Sequence, residues 1–369
     1  MTELAILGGG QLGRMLALAA VPLGVTVRSL DPVEGAPAAT VSDLTVGALD
    51  DLTALRATAG TARVVTYEWE GVPAGPVRAL VADGYVVHPH PDALEASQDR
   101  LTEKTTFRSL GIPVAAFAPV DSVADLGDAI ARIGAPAILK TRRGGYDGKG
   151  QAVIATDADT DTAWSELGPG APLILEARVP FDRELSILAA RGVDGDVRTW
   201  PLVENEHRGG ILRVSRAPAP GVTDALQATA DGYVRALLEH FDYVGVLTLE
   251  LFQVGDDLLV NEMAPRVHNS GHWTIEGART SQFANHVRAV LGWPLGDTAA
   301  VGASAMVNCI GVLPEPETVL VVPGAVLHRY GKAPRPGRKV AHVTVVADDA
   351  AELERRLATL LDLLPADIG

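Results

Sequence analysis

From residue 1 to about 95, short apolar runs alternate with segments of helical spacing: LAILG, a helix from Gln11, VTVRSL, a helix around Asp51 to Thr58, RVVTYE, a helix around Ala74 to Ala82, then GYVVHP. Repeated strand and helix order of this kind builds a parallel sheet covered by helices. The segment HPHPDALEASQDRLTEKTTFRSLGIPV reads as a proline-marked linker and then a helix stopped near Gly111 and Pro113. Beyond residue 115 the pattern changes to short runs joined by turns, PAILKT, GQAVIA, PLILEARV, RELSILAAR, VGVLTLELF and DLLVNEM, with helices around Val123 to Ile133 and Thr223 to Phe241. These predict mainly antiparallel sheets. Strands AVLHRYG and VAHVTVVA and the amphipathic helix DAAELERRLATLLDLL complete the chain. The expected class is thus α/β followed by α+β, in three domains: 1–95, 96–295 and 296–369.

Composition narrows the function more than the fold. A chain of 369 residues with 47% hydrophobic and 21% charged residues can bury more than one core. Its formal charge of -15 argues against nucleic acid as a partner. The one cysteine, Cys309, permits no intramolecular disulfide and no cysteine zinc cluster, which suits a reducing compartment. No signal-peptide pattern opens the sequence and no apolar stretch is long enough to span a bilayer, so the expected location is the cytoplasm, without a membrane partner.

The stretch ILGGGQLGRML places Gly8, Gly10 and Gly13 in the spacing G-x-G-x-x-G between a strand and a helix, and a second strand ends in Asp31. Taken alone, that describes a dinucleotide-binding oxidoreductase. Later segments point elsewhere. AILKTRRGGYDGKGQAVIA, residues 137 to 155, reads as strand, glycine-rich flap (144–150) and strand, with Lys140 as the cation for a phosphate held beneath it. The alternative is an exposed hairpin with a snorkelling lysine. GVLTLELFQVGDDLLVNEMAPR reads as a hairpin. A turn of odd length would set Glu250 and Glu262 face to face, where a divalent cation relieves their repulsion; an even turn would separate them. EARVPFDRELSI adds Glu176 at a strand end, whose backbone could meet an adenine edge, and Glu184 as a ribose acid.

In that order, together with GGGQLGRM, QDRLTEK, GGYDGKGQ, ENEHRGGIL, NEMAPRVHNSGHWT and RPGRKVAH, the chain resembles the ATP-grasp family of N5-carboxyaminoimidazole ribonucleotide synthetases, the ATPase subunits of phosphoribosylaminoimidazole carboxylase. The resemblance implies an ATP-grasp fold with an N-terminal Rossmann-like (pre-ATP-grasp) domain, a small β-rich C-terminal domain and a homodimer. It also implies an ATP-dependent ligase of purine biosynthesis that joins bicarbonate to 5-aminoimidazole ribonucleotide. By motif it assigns ATP to Arg100, Lys140, Gly145, Tyr146, Asp147, Gly148, Lys149, Gly150, Gln151, Glu176, Ala177, Arg178, Val179, Glu184, His207, Asn261 and Glu262, and Mg²⁺ to Glu250 and Glu262. The ribonucleotide falls to Gln11, Leu12, Glu68, His268, Asn269, Ser270, Arg338 and Lys339, and the chemistry to Asp147, Lys149, Arg266 and Lys332. Lys149 stands where the family usually has arginine, which keeps the charge and loses the bidentate fork. On this reading the opening glycines offer N–H groups to a substrate anion, and Asp31 is a turn residue. A related ATP-grasp enzyme using formate, and a binding protein without activity, are the rival readings.

His268 and His272 in HNSGH have i, i+4 spacing, but Gly271 interrupts any helix and the acid of a zinc motif is missing. Glu68 either faces the ribonucleotide or is a solvated loop acid. The cations of RYGKAPRPGRK form either a solvated loop or a phosphate clamp.

Overall fold

A computed structural model describes residues 3–145, 149–168 and 170–365. Tyr146, Asp147 and Gly148 of the flap lie outside them. The N-terminal unit is a four-stranded parallel sheet, β1 (Leu4–Leu7), β2 (Val27–Asp31), β3 (Asp43–Val46) and β4 (Val64–Tyr67), in the order β3-β2-β1-β4. Helices α1 (Gln11–Ala20), α2 (Leu52–Ala59) and α3 (Ala74–Ala82) cover it. All four residues of β1 and of β4 are buried, as a parallel sheet with both faces covered requires. The expected strand GYVVHP contributes only a single bridge, Val65 to Val87. Pro89, which has no N–H to donate, follows at once. The proline-marked segment is not a plain linker: α4 (Pro91–Ser97) precedes α5 (Arg100–Ser109).

A small antiparallel sheet of β5 (Phe117–Val120), β6 (Ala137–Thr141), β7 (Gln151–Ile154) and β8 (Leu173–Ala177) runs in the order β5-β8-β6-β7 under α6 (Val123–Ile133) and α7 (Thr160–Leu167). Its core joins Leu126 and Ile130 of α6 to Leu139, Ile154 and Leu175. The flap connects β6 to β7.

The third sheet has nine strands. In chain order they are β9 (Arg183–Arg191), β10 (Val197–Thr199), β11 (Val203–Arg208), β12 (Ile211–Ala217), β13 (Gly245–Val254), β14 (Asp257–Ala264), β15 (Ala303–Ile310), β16 (Ala325–Arg329) and β17 (Lys339–Ala347). The helices of this part are α8 (Asp224–His240), α9 (Thr274–Gly277), α10 (Gln282–Val290), α11 (Pro316–Val319) and α12 (Ala350–Leu363). The strand order is β14-β13-β9-β11-β12-β15-β17-β16, with β10 beside β9. The C-terminal strands therefore continue the central sheet, because β12 pairs with β15 from Val214↔Val307 to Ala217↔Ser304. They still have a core of their own, in which Val343 and Val345 meet Leu353, Leu357 and Leu360 of α12. Leu185, Ile187 and Leu249 pack with Val234 and Leu237 of α8 in a core beneath the sheet. The opposite face carries Ser186 and Asn205, both buried, and above it the site is built.

Candidate active site

Asp99 caps α5 by accepting the N–H groups of Leu101 (3.1 Å) and Thr102 (3.2 Å). That start aims Arg100 and the residues three and four positions on, Glu103 and Lys104, along one side of the helix. Ile138 pairs with Glu176 across β6 and β8, which puts Lys140 and Glu176 on the same face of the small sheet. The results meet: Lys140 Nζ lies 3.0 Å and Lys104 Nζ 3.3 Å from Glu176 Oε2. All three are buried, at 9%, 1% and 3% exposure. Burial would push the Glu176 carboxyl up, but the two lysines override it and hold the group below its ordinary range. Burial draws the Lys140 ammonium down against the pull of Glu176, and Lys104 and Arg100 add to the lowering. Glu176 Oε1 is buried without a hydrogen-bond partner among the described residues. Ala177 and Arg178 donate their N–H groups to Ala116 and Pro136, so those donors are taken and do not face an adenine edge.

The hairpin of β13 and β14 corrects the reasoning about the turn while keeping the two acids opposed. Its turn is even: Val254 pairs with Asp257 across Gly255 and Asp256. Continued regularly, that register would set Glu250 opposite Asn261. A bulge intervenes between Glu250 and Leu251, Asn261 becomes the extra residue, and Glu250 pairs with Glu262. The carbonyl of Asn261 accepts Lys104 Nζ at 2.9 Å, and Glu103 Oε1 accepts Met263 N–H at 2.8 Å, so α5 clamps the bulge. Burial pushes the Glu103 carboxyl up to about 8. Neither Glu103 nor Lys104 is among the expected site residues, although their spacing from Arg100 carries the signal.

Arg100 Nη1 lies 3.2 Å from Glu262 Oε2 while its Nη2 donates to the Gly145 carbonyl of the flap at 3.2 Å. His268 Nε2 lies 3.2 Å from Glu250 Oε1, and His207 Nδ1 lies 2.8 Å from Glu184 Oε2. Burial acts to raise the Glu250 carboxyl, but the hydrogen bond from His268, with His207 and Arg266 nearby, brings it below the ordinary range. No group of three or more His, Cys, Asp or Glu side chains among the described residues could hold a metal ion. Two opposed carboxylates fit Mg²⁺ shared with nucleotide phosphates and do not fit an all-protein cage. Lys149 and Gln151 are exposed at the far side of the flap, and Gly150 takes a φ of +70° there.

At the other end of the cleft the glycine stretch does something the sequence did not suggest. Gly10 and Gly13 donate their N–H groups to the two oxygens of Glu68, each at 3.0 Å, and Gly9 donates to Asp31 Oδ2 at 2.9 Å. The helix N-terminus that would receive a pyrophosphate or a substrate anion is filled by the chain's own carboxylates. Glu68 is accordingly neither a solvated acid nor free for a ligand on that side, and Asp31, which also accepts Val33 N–H at 2.9 Å, locks the turn. The glycines make room for Glu68: a Cβ on Gly8 would lie 2.6 Å from its Cγ, and one on Gly10 2.6 Å from its Oε1. Gly10→Ala is expected to cost about 1–3 kcal/mol by leaving buried donors unpaired. Urea unfolding checks this, and an unchanged midpoint would mean that Glu68 yields freely.

Lys332 donates to Gln11 Oε1 and thereby ties the C-terminal strands to α1, while Arg266 pairs with Glu70. Arg338 donates to the Ala333 carbonyl at 3.2 Å, and Lys339 opens β17. Leu12 packs against the adjoining core. Of the HNS residues, His268 faces Glu250, whereas Ser270 is wholly buried with its hydroxyl toward Ser186, so its side chain is not a substrate contact. Both polar side-chain atoms of Asn269 are buried without partners among the described residues. His272 is buried against the His342 ring, 4.6 Å between centroids, away from any metal arrangement.

A small antiparallel sheet and a larger one that grip a cleft of lysines and acids beneath a glycine flap define an ATP-grasp protein, and the ATP-grasp domain profile matches residues 105–283. The Ribonucleotide synthetase preATP-grasp domain matches residues 1–98, and the Phosphoribosylaminoimidazole carboxylase C-terminal domain matches residues 304–356. N5-carboxyaminoimidazole ribonucleotide synthase of Pseudomonas aeruginosa is 49% identical over 364 residues, 99% of this chain and 100% of that one. The crystal structure of the synthetase from Thermus thermophilus superposes with a TM-score of 0.94 at 56% identity, covering 98% of each chain. That of the Aspergillus clavatus enzyme with ADP and 5-aminoimidazole ribonucleotide gives 0.91 at 32% identity, again over 98% of each. The chain belongs to the N5-carboxyaminoimidazole ribonucleotide synthase family of ATP-grasp ligases.

Proposed function

We propose that this chain carboxylates 5-aminoimidazole ribonucleotide with bicarbonate and ATP, giving N5-carboxyaminoimidazole ribonucleotide, ADP and phosphate by way of carboxyphosphate. The observation that carries the reading is the convergence, in one cleft, of Lys140, Lys104 and Arg100 with the opposed Glu250 and Glu262. Such a set neutralises nucleotide phosphates and positions them for transfer. Arg100, Lys140, Glu184, His207 and the flap bind ATP. Glu250 and Glu262 would hold Mg²⁺, which supplies charge neutralisation at the transferred phosphoryl group. The flap excludes water while carboxyphosphate is present. Arg266, His268, Lys332, Arg338 and Lys339 bind the ribonucleotide. The working protein is a cytoplasmic homodimer, with domains 1–95, 96–295 and 296–369. No helix among the described residues is long and apolar enough to cross a membrane.

ATP hydrolysis measured with and without the ribonucleotide and bicarbonate tests the reading. Labelled bicarbonate should enter the product and labelled formate should not. Turnover that ignores the ribonucleotide, or incorporation of formate, would overturn it.

Lys332 supplies a pH test. Burial draws its ammonium down to about 8; Glu68 opposes the change, and Arg338, Lys339 and Arg335 reinforce it. The charge is present below that pH and lost above it. Because kcat/KM reports groups of the free enzyme, kcat/KM for the ribonucleotide is expected to fall about tenfold per unit above pH 8. Lys332→Arg should carry the limb to higher pH, since guanidinium stays protonated. A limb that does not move would assign the loss to another group.

A further inference from the structure

A line of small buried polar side chains runs from the site into the sheet. His268 Nδ1 lies 2.9 Å from Ser270 Oγ, which lies 2.8 Å from Ser186 Oγ. Asn205 Nδ2 is 2.9 Å from Ser186 Oγ, and Ser215 Oγ is 2.8 Å from Asn205 Oδ1. Strand register explains the alignment. Ser186 pairs with Glu250 on one side, while Asn205 pairs with Glu184 of the same strand, β9, and with Ser215 of β12. All these side chains share the face that carries the acids. Ser186, Ser215 and Ser270 are fully buried, so each must find its partners within the line.

The line has a direction. The backbone N–H of Ser270 donates to His268 Nδ1 at 3.3 Å, so that nitrogen carries no proton. The Ser270 hydroxyl, 2.9 Å from the same bare nitrogen, must donate to it. Ser270 then accepts from Ser186, Ser186 accepts from the amide of Asn205, and Asn205 Oδ1 accepts from Ser215. Turning the amide of Asn205 over would make Ser186 donate backwards and leave two lone pairs facing each other at Ser270 and Nδ1. With Nδ1 bare, only this direction pairs a donor with an acceptor at every side-chain contact of the line. A histidine with Nδ1 bare holds its proton on Nε2, and Nε2 is the atom 3.2 Å from Glu250 Oε1.

We propose that Ser215, Asn205, Ser186 and Ser270 form a one-way hydrogen-bond relay that fixes His268 as the Nε2–H tautomer and aims that proton at Glu250. These are positioning residues: they act through His268 and touch no substrate. The relay holds one oxygen of Glu250 by the Nε2–H donor and leaves the other available to a cation. This last consequence rests on the proposed role of Glu250, whereas the tautomer does not.

The tautomer is read directly by two-bond ¹⁵N–¹H correlation on ¹⁵N-histidine-labelled full-length protein, with His268 identified by the signals lost in His268→Gln. The expected wild-type pattern has Nε2 protonated and Nδ1 bare. Asn205→Asp is nearly isosteric but puts an acceptor where Ser186 needs a donor. It should disturb the His268 pattern and lower kcat/KM for the ribonucleotide by on the order of 10- to 100-fold, as loss of an orienting partner does, with KM for ATP within about twofold. Ser186→Ala should do the same to a smaller extent, and Ser186→Thr, which keeps the hydroxyl, should restore both readouts. A wild-type His268 protonated on Nδ1 overturns the proposal without any variant having to fold. So does Asn205→Asp with wild-type spectrum and kinetics. Because the spectra are taken without nucleotide, they stand even if the carboxylation reading fails.

Discussion

Replacing Glu262 by glutamine is expected to leave the fold intact and to cut ATP turnover by on the order of 10²- to 10³-fold, the loss typical of removing one preorganised electrostatic partner from a transition state. The fold should survive because the Glu262 side chain is 40% exposed, so water screens its one described ion pair, to the largely buried Arg100 at 3.2 Å, and glutamine still offers Arg100 an acceptor oxygen. A pair screened in this way contributes about 1 kcal/mol. Catalysis should not survive, because glutamine keeps the shape and loses the charge. Glu250 would then stand alone against the cation and the phosphates. Thermal unfolding and turnover at rising Mg²⁺ check both halves. Turnover near the wild-type value at saturating Mg²⁺ would remove Glu262 from the metal site, whereas a large fall in Tm would make it a structural residue.

Glu262 also illustrates how far sequence alone reaches. Two apolar runs on either side of Gly255, Asp256 and Asp257 predicted the hairpin, and the acids stood out on it. Their opposition depends on a bulge at Asn261, which leaves no mark in the sequence because one extra residue looks like any other polar position. The condition placed on the turn was wrong, and the pairing was right for another reason. The opening glycines show the reverse case. Their spacing was legible, yet what fills the helix N-terminus is Glu68, 58 and 55 residues from the N–H groups of Gly10 and Gly13 that it caps. Local pattern cannot announce a partner that remote. Lys104 was legible in principle, four residues after Arg100 on an evident helix. Ser186, Asn205 and Ser215 were not, since small polar residues on a strand acquire meaning only when the cross-strand register is known. The change from a parallel to an antiparallel strand pattern was readable, but not the way the C-terminal strands extend the central sheet. Nothing local distinguishes a strand that starts a new sheet from one that joins an existing edge.

Glu176→Gln is expected to destabilise the protein by about 3–5 kcal/mol, the cost of breaking a buried charge pair by removing one partner. Glu176 Oε2 is the shared counter-charge of Lys140 at 3.0 Å and Lys104 at 3.3 Å, and all three side chains are nearly without solvent. Glutamine keeps the volume and an acceptor oxygen, so packing changes little. What changes is that two buried ammonium groups lose the carboxylate that holds them charged, and water cannot replace it. Lys104 also bonds the Asn261 carbonyl at 2.9 Å, so strain at this lysine passes to the bulge that opposes Glu250 and Glu262. On the proposed function, nucleotide phosphates bring negative charge to the same lysines. Ligand that binds only the folded state stabilises it by mass action, and here it would also supply the missing charge. ADP with Mg²⁺ should therefore raise the Tm of Glu176→Gln more than that of the wild-type protein, provided each is saturated. Differential scanning calorimetry with and without ADP decides it. An equal deficit in both conditions would move the phosphates away from Lys104 and Lys140, and no deficit in either would show that the buried pair contributes nothing net to stability.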